Sequence, residues 1–167
     1  KFPGDFGDPA EDCNCRCVSL TRAKWALNNR DGVDTEELYA INLSNGLEVG
    51  RITDQHLRKR IERTPDFTKK LNEADDFGDK ILLIHNHPDG LPPSINDINA
   101  LMKNKNVVGI TVGHDGSLYY YTRPYKPILQ SDFISATNNY KEFSEITAFE
   151  MALEELQEKF GFVFKKL

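Results

Sequence analysis

Apolar residues recur along the chain with two periods, and each change of period marks an element. Glu37-Leu38-Tyr39-Ala40-Ile41-Asn42-Leu43 reads as a strand, Ser44-Asn45-Gly46 as a tight turn, and Leu47 to Ile52 as a return strand. Asn-Gly between two such runs is a strong hairpin signal, because glycine supplies the positive φ that the turn requires. Residues 36–53 are therefore expected to form a β-hairpin. A second hairpin is expected from Val107 to Gly113, with a turn at His114-Asp115-Gly116-Ser117 and a return over Leu118 to Thr122. Between the hairpins lies Ile81-Leu82-Leu83-Ile84, too short for a helix and followed by proline and glycine, which reads as a buried strand.

Other stretches carry the helical period. Leu20 to Asn29 predicts a short helix with Trp25 as a core anchor. Thr53 to Asp76 carries Leu57, Ile61, Phe67 and Leu71 on one stripe, and Thr64-Pro65 splits it into two helices or kinks it. Its basic run, Arg58-Lys59-Arg60, reads as a solvated face, and His56 as a surface residue. Residues 128–167 place Phe143, Ile146, Phe149, Leu153, Leu156 and Phe160 at spacings of three and four, with Gly161 as a helix stop. That helix packs on the domain or faces a partner, a second copy or a substrate cleft.

The fold class expected from these elements is α/β (α+β): a mixed sheet flanked by helices. Residues 1–19 are rich in Gly, Pro and Asp and read as an extended arm or linker. Residues 20–125 form the main domain, and residues 126–167 a C-terminal helical extension. With 167 residues the chain can bury a substantial core. Hydrophobic residues at 39% argue against disorder, and a net charge of −5 gives no footprint for nucleic acid or an anionic membrane. No apolar run approaches a membrane span and no signal peptide is recognisable. The chain opens on Lys rather than Met, which suggests a piece of a longer polypeptide. A cytoplasmic or phage-particle location is expected.

The chemistry concentrates at the end of the buried strand. His85 and His87 are two apart, so on a strand both imidazoles point the same way. A Gly/Pro loop follows, and Ser94-Ile95-Asn96-Asp97 opens a helix on which Ser94 and Asp97 share a face. Taken singly, each part has an ordinary reading. A strand-end histidine is a polar terminus, and Ser-x-x-Asp is a capping arrangement. Together, His85, His87 and Asp97 make a three-ligand set that suits a catalytic Zn²⁺ with one position left open.

His85-Asn86-His87-Pro88 followed by Ser94-x-x-Asp97 resembles the JAMM motif of the JAB/MPN metallopeptidases, and the wording His-Asn-His-Pro-x-Gly is similar to their RadC-type branch. Six residues separate His87 from Ser94, one fewer than is usual in that family. The resemblance implies an MPN-like fold and zinc-dependent hydrolysis of a peptide or isopeptide bond. It implies His85, His87 and Asp97 as metal ligands and Ser94 as donor to the oxyanion. The general base would be a glutamate near the start of an early strand. Glu37 takes that role, with Glu36 the fallback and Glu48 a third candidate. Glu36 and Glu37 are adjacent, so on a strand they face opposite sides and only one can serve.

Cys13, Cys15 and Cys17 are spaced too tightly for an ordinary zinc site, without an adjacent fourth ligand, and read as reduced cytosolic thiols. The stretch Gly7 to Cys17 also resembles the C-terminal edge of Mu F-like phage head morphogenesis proteins. That resemblance implies a prophage or mobile-element polypeptide, and a toxin or a processing protease. The expected partner is a protein or peptide substrate, with no nucleic acid and no membrane. Two other classes stay open: a non-catalytic MPN-like interaction module, and a metal-dependent nucleic-acid-processing enzyme suggested by the letters H-N-H.

Overall fold

A strand that is apolar at consecutive positions must be covered on both faces. The strand Ile81–His87 meets this requirement: all seven of its residues are buried. It lies inside a mixed six-stranded sheet in a computed structural model that describes residues 35–53, 55, 57 and 60–167. The expected arm 1–19 with Cys13, Cys15 and Cys17, the expected helix Leu20–Asn29 with Trp25, and residues His56, Arg58 and Lys59 lie outside the described residues.

The strands are β1 (Leu38–Asn42), β2 (Glu48–Ile52), β3 (Ile81–His87), β4 (Val107–Gly113), β5 (Leu118–Thr122) and β6 (Phe164–Lys166). Their order across the sheet is β2-β1-β3-β4-β5-β6. β3 and β4 run parallel, and the other neighbouring pairs are antiparallel. Both expected hairpins are present, as β1–β2 and β4–β5. The first turns through Gly46 at φ 73°, the left-handed conformation that asparagine-glycine turns use.

The helices are α1 (Pro65–Asp76), α2 (Ile95–Ala100, continued by a 3₁₀ turn at Leu101–Lys103), α3 (Gln130–Asn138) and α4 (Glu145–Phe160). α1 begins at Pro65, where the expected break between two helices falls, while the described residues of the expected first half (53, 55, 57 and 60–64) are not helical. Thr64 is extended and its side chain accepts from the Phe67 N–H, so cap and proline fix the start together. Leu57 and Ile61 therefore precede the helix. α4 is capped by Ser144, whose side chain accepts from Thr147 N–H, and it stops at Gly161 in the left-handed conformation (φ 64°).

All four helices contribute to one core on one face of the sheet. Leu38, Ala40, Ile81, Leu83 and Tyr121 meet Phe67 and Leu71 of α1, Ile95 and Ile98 of α2, Ala136 of α3, and Ala152, Leu153 and Leu156 of α4. Tyr39, Ile41, Leu82, Ile84 and Val112 form a second cluster on the opposite face. Residues 128–167 read as helical in sequence, but they end in β6, which pairs with β5 and places Phe164 against Tyr119 with ring centroids 5.9 Å apart. Among the described residues no helix is long and apolar enough to cross a membrane.

Candidate metal centre

The site begins with the parity of β3. Ile81 and Leu83 point into the helix-covered core, and His85 and His87 continue that row to the carboxyl end of the strand. Leu82 and Ile84 fill the other face. The chain then turns at Gly90 (φ 72°), whose N–H donates to the His87 carbonyl at 3.1 Å, and reaches α2. Ser94 is the N-cap of α2 and Asp97 its third residue. The Ser94 N–H and hydroxyl donate to Asp97 Oδ2 at 2.8 and 2.7 Å, and the Asp97 N–H donates back to Ser94 Oγ at 3.3 Å. The capping box therefore also aims the carboxylate at the strand end.

Three acceptor atoms converge there. His85 Nε2 lies 3.0 Å from His87 Nε2, and each lies 3.6 Å from Asp97 Oδ2. The circle through the three atoms has a radius of about 2.0 Å, the length of a zinc–nitrogen or zinc–oxygen bond. His87 Nδ1 donates to the Leu91 carbonyl at 2.8 Å, which leaves a lone pair on Nε2 in the neutral ring. His85 Nδ1 faces the Tyr121 hydroxyl at 3.5 Å, and its Nε2 faces the common point with the Thr111 hydroxyl 3.3 Å away. Gly109, the partner of Tyr121 across the β4–β5 pair, makes room for that phenol: a Cβ at 109 would sit 2.2 Å from Tyr121 Cζ. Bare lone pairs facing one point repel unless a cation or protons sit between them. His85, His87 and Asp97 can therefore hold a metal ion.

Charge follows burial and contact. Burial pushes the His85 imidazole below its ordinary pKa, against the pull of Asp97. Burial opposes the cation at His87 as well, but Asp97 and the Leu91 carbonyl outweigh it and its pKa is raised. Burial disfavours charge on Asp97, yet the two imidazoles hold its carboxyl well below the usual range. Tyr121 is pushed well above its ordinary value by burial and by Asp97, so it stays a neutral phenol.

The structure places Glu36, not Glu37, beside this centre. Leu38 pairs with His85 across β1 and β3 and faces the helix-covered core, and Glu36 shares its parity. Glu36 lines the cavity that contains both histidines and Asp97, and its N–H donates to the Leu57 carbonyl at 3.1 Å. The Glu37 carboxylate accepts from the Tyr39 hydroxyl at 3.2 Å, and Tyr39 belongs to the opposite face. Glu48 lies on the outer strand β2, 3.8 Å from Arg51, and does not line the cavity.

Two contributors carried no local signal in the sequence. Asn86 alternates to the far face and ties down the segment before β1. Its Oδ1 accepts from Glu37 N–H at 2.6 Å, and its Nδ2 donates to the Thr35 carbonyl at 3.0 Å. Its Nδ2 also lies 3.0 Å from His114 Nε2, so His114 meets Asn86 rather than the metal centre. Arg63, just before the α1 cap, lines the cavity. The cavity has a volume of about 600 Å³. Phe133 of α3 and Phe149 of α4 also line it, packed edge to face with centroids 5.1 Å apart. No protein-family model matches the chain, and no curated protein matches it.

Proposed function

We propose that this chain is a zinc-dependent hydrolase of a peptide or isopeptide bond, working in the manner of the JAMM metallopeptidases that its motif resembles. One observation carries the reading: two imidazole nitrogens and a carboxylate oxygen equidistant from one point, at the edge of a cavity large enough for a substrate segment. His85, His87 and Asp97 would hold the metal. A zinc ion bound there would supply Lewis-acid chemistry, making water a nucleophile near neutral pH and polarising the scissile carbonyl.

The chain's own residues supply the rest. Glu36, rather than Glu37, is the proton acceptor in this reading, because it lines the cavity that the histidines share. Its carboxylate takes the proton of the attacking water and delivers it to the leaving amine. Ser94 first orients Asp97, since its hydroxyl proton is directed at Oδ2. Donation from Ser94 to a developing oxyanion requires that hydroxyl to rotate away from Asp97. The Leu91 carbonyl holds the His87 ring in the tautomer that bares Nε2, and the Tyr121 hydroxyl lies beside His85 Nδ1. The chain is read as part of a prophage or mobile-element polypeptide, as a toxin or a processing protease, on its resemblance around Cys13 to Cys17 alone.

The test compares Glu36→Gln with Glu37→Gln on a peptide or isopeptide substrate library, with zinc measured in the same samples. Glu36→Gln should lower turnover by about 10²- to 10⁴-fold and keep its zinc. Glu37→Gln should retain most activity. The opposite ranking would return the base to Glu37, and no hydrolysis by the zinc-loaded parent would sink the reading.

A further inference from the structure

Arg63 lines the same cavity as the histidines and Asp97, on the residue that leads into the Thr64–Pro65 start of α1. It is half-buried, and its electrostatic neighbours are Tyr121 and Asp97. No hydrogen bond or ion pair joins it to any described residue. Arg60, at the same cavity, is different: its guanidinium meets Glu62 at 3.0 Å and is largely exposed. Burial pulls the Arg63 pKa below its ordinary value, and the attraction of the Asp97 carboxylate only partly offsets this. A guanidinium stays charged regardless, so an anion that enters the cavity beside it would offset the rest of that cost. Asp97 does not fill that role by direct contact: no hydrogen bond or ion pair joins it to Arg63, and its Oδ2 takes both Ser94 bonds and faces the two imidazoles.

We propose that Arg63 is a specificity residue that receives a carboxylate of the ligand in this cleft, a proposal that rests on reading the site as a hydrolase. The guanidinium fork matches a planar carboxylate through two parallel hydrogen bonds. Phe133 and Phe149 also line the cavity and suit an apolar side chain. The ligand class is therefore a peptide segment that joins an apolar side chain to a carboxylate. The carboxylate comes from the peptide's C-terminus or from an acidic side chain. The chain's net charge of −5 offers such a ligand no long-range attraction, so the selectivity must be local.

The test is calorimetric titration of four probes into the whole chain, metal-free and zinc-loaded. N-acetylphenylalanine against its amide reads the terminal carboxylate. N-acetyl-glutamyl-phenylalaninamide against its glutaminyl analogue reads the side-chain carboxylate. In the metal-free parent, one acid should bind about tenfold or more tighter than its neutral partner. The pair that shows the preference identifies the source. In Arg63→Gln the preference should fall to within about twofold, and Arg63→Lys, which keeps the charge without the fork, should lose part of it. The proposal is overturned by equal binding of acid and neutral probes to the metal-free parent, or by a preference that survives Arg63→Gln with an unchanged circular dichroism spectrum. A preference seen only with zinc would mark coordination by the metal and would overturn it too. If Arg63→Gln does not fold, an undiminished preference in Arg63→Lys has the same force. A chain that takes up no zinc yet shows an Arg63-dependent preference supports the carboxylate site and refutes the hydrolase, so the two failures are distinguishable.

Discussion

Asn86 sits between His85 and His87 in the chain, yet its side chain bonds to Thr35 and Glu37 on the segment that leads into β1. It is buried, and its amide is one of the links that tie the Thr35–Glu37 segment to the end of β3. Asn86→Ala leaves the Glu37 N–H and the Thr35 carbonyl without that partner, a loss of about 1–3 kcal/mol. The expected outcome is a lower urea midpoint and weakened turnover with zinc content retained, read by denaturation and elemental analysis on one preparation. Loss of zinc instead would place Asn86 in support of the ligands themselves. The same residues show what could be read locally. His85, His87 and Asp97 were legible because strand parity and helix spacing each act within a few residues. The choice between Glu36 and Glu37 was not, because it depends on the register that pairs Leu38 with His85, and register is a long-range property. Arg63 was equally hidden: its place in the cavity, with Tyr121 of β5 and Asp97 of α2 as neighbours, follows from the fold, and nothing next to it in the chain announces that.

At the scale of elements, the Asp75 carboxylate is the main tie between α1 and the start of β4, beside a bond from the Asn104 amide to Asn72. Asp75 accepts from the Lys105 N–H at 2.9 Å and from the Asn106 N–H at 2.8 Å, just ahead of Val107. Burial is the largest single influence on Asp75 and raises its pKa, but the hydrogen bonds it accepts together outweigh it and the folded value is lowered from 3.8. A depressed carboxyl pKa stabilises the fold above the unfolded value and loses that stabilisation as pH falls through the folded value. Asp75→Asn should therefore cost about 1–2 kcal/mol near pH 7. The gap in urea midpoint between variant and parent should narrow as the pH drops below about 4. A gap that stays constant down to pH 3 would assign the loss to packing. The element boundaries tell a related story. The first hairpin was readable from Asn45-Gly46, and the end of α4 from Gly161. The buried face of α4 was less so, because Ala148 and Ala152 share it with Leu156 and Phe160, and alanine gives a weak apolar signal. Phe143, counted in the sequence stripe, is 48% exposed. β6 has only three residues, and Phe162 and Phe164 extend the preceding apolar pattern without a clear change of period.

At the scale of the molecule, the cavity is assembled from parts far apart in sequence: the segment before β1, the residues before α1, the end of β3, the start of α2, and α3 and α4. The C-terminal segment supplies a sheet strand, part of the core and the aromatic wall of the cleft, through Phe164, Phe160 and the Phe133–Phe149 pair. A metal held by His85, His87 and Asp97 would pin β3 to α2 at the place where these parts meet. The most direct measurement is therefore zinc content by elemental analysis of the purified chain, beside a His85→Ala/His87→Ala double variant. The account predicts about one zinc per chain in the parent and none in the variant, both folded by circular dichroism. A folded parent that stays free of metal after zinc is supplied, or a variant that keeps as much zinc as the parent, would contradict it.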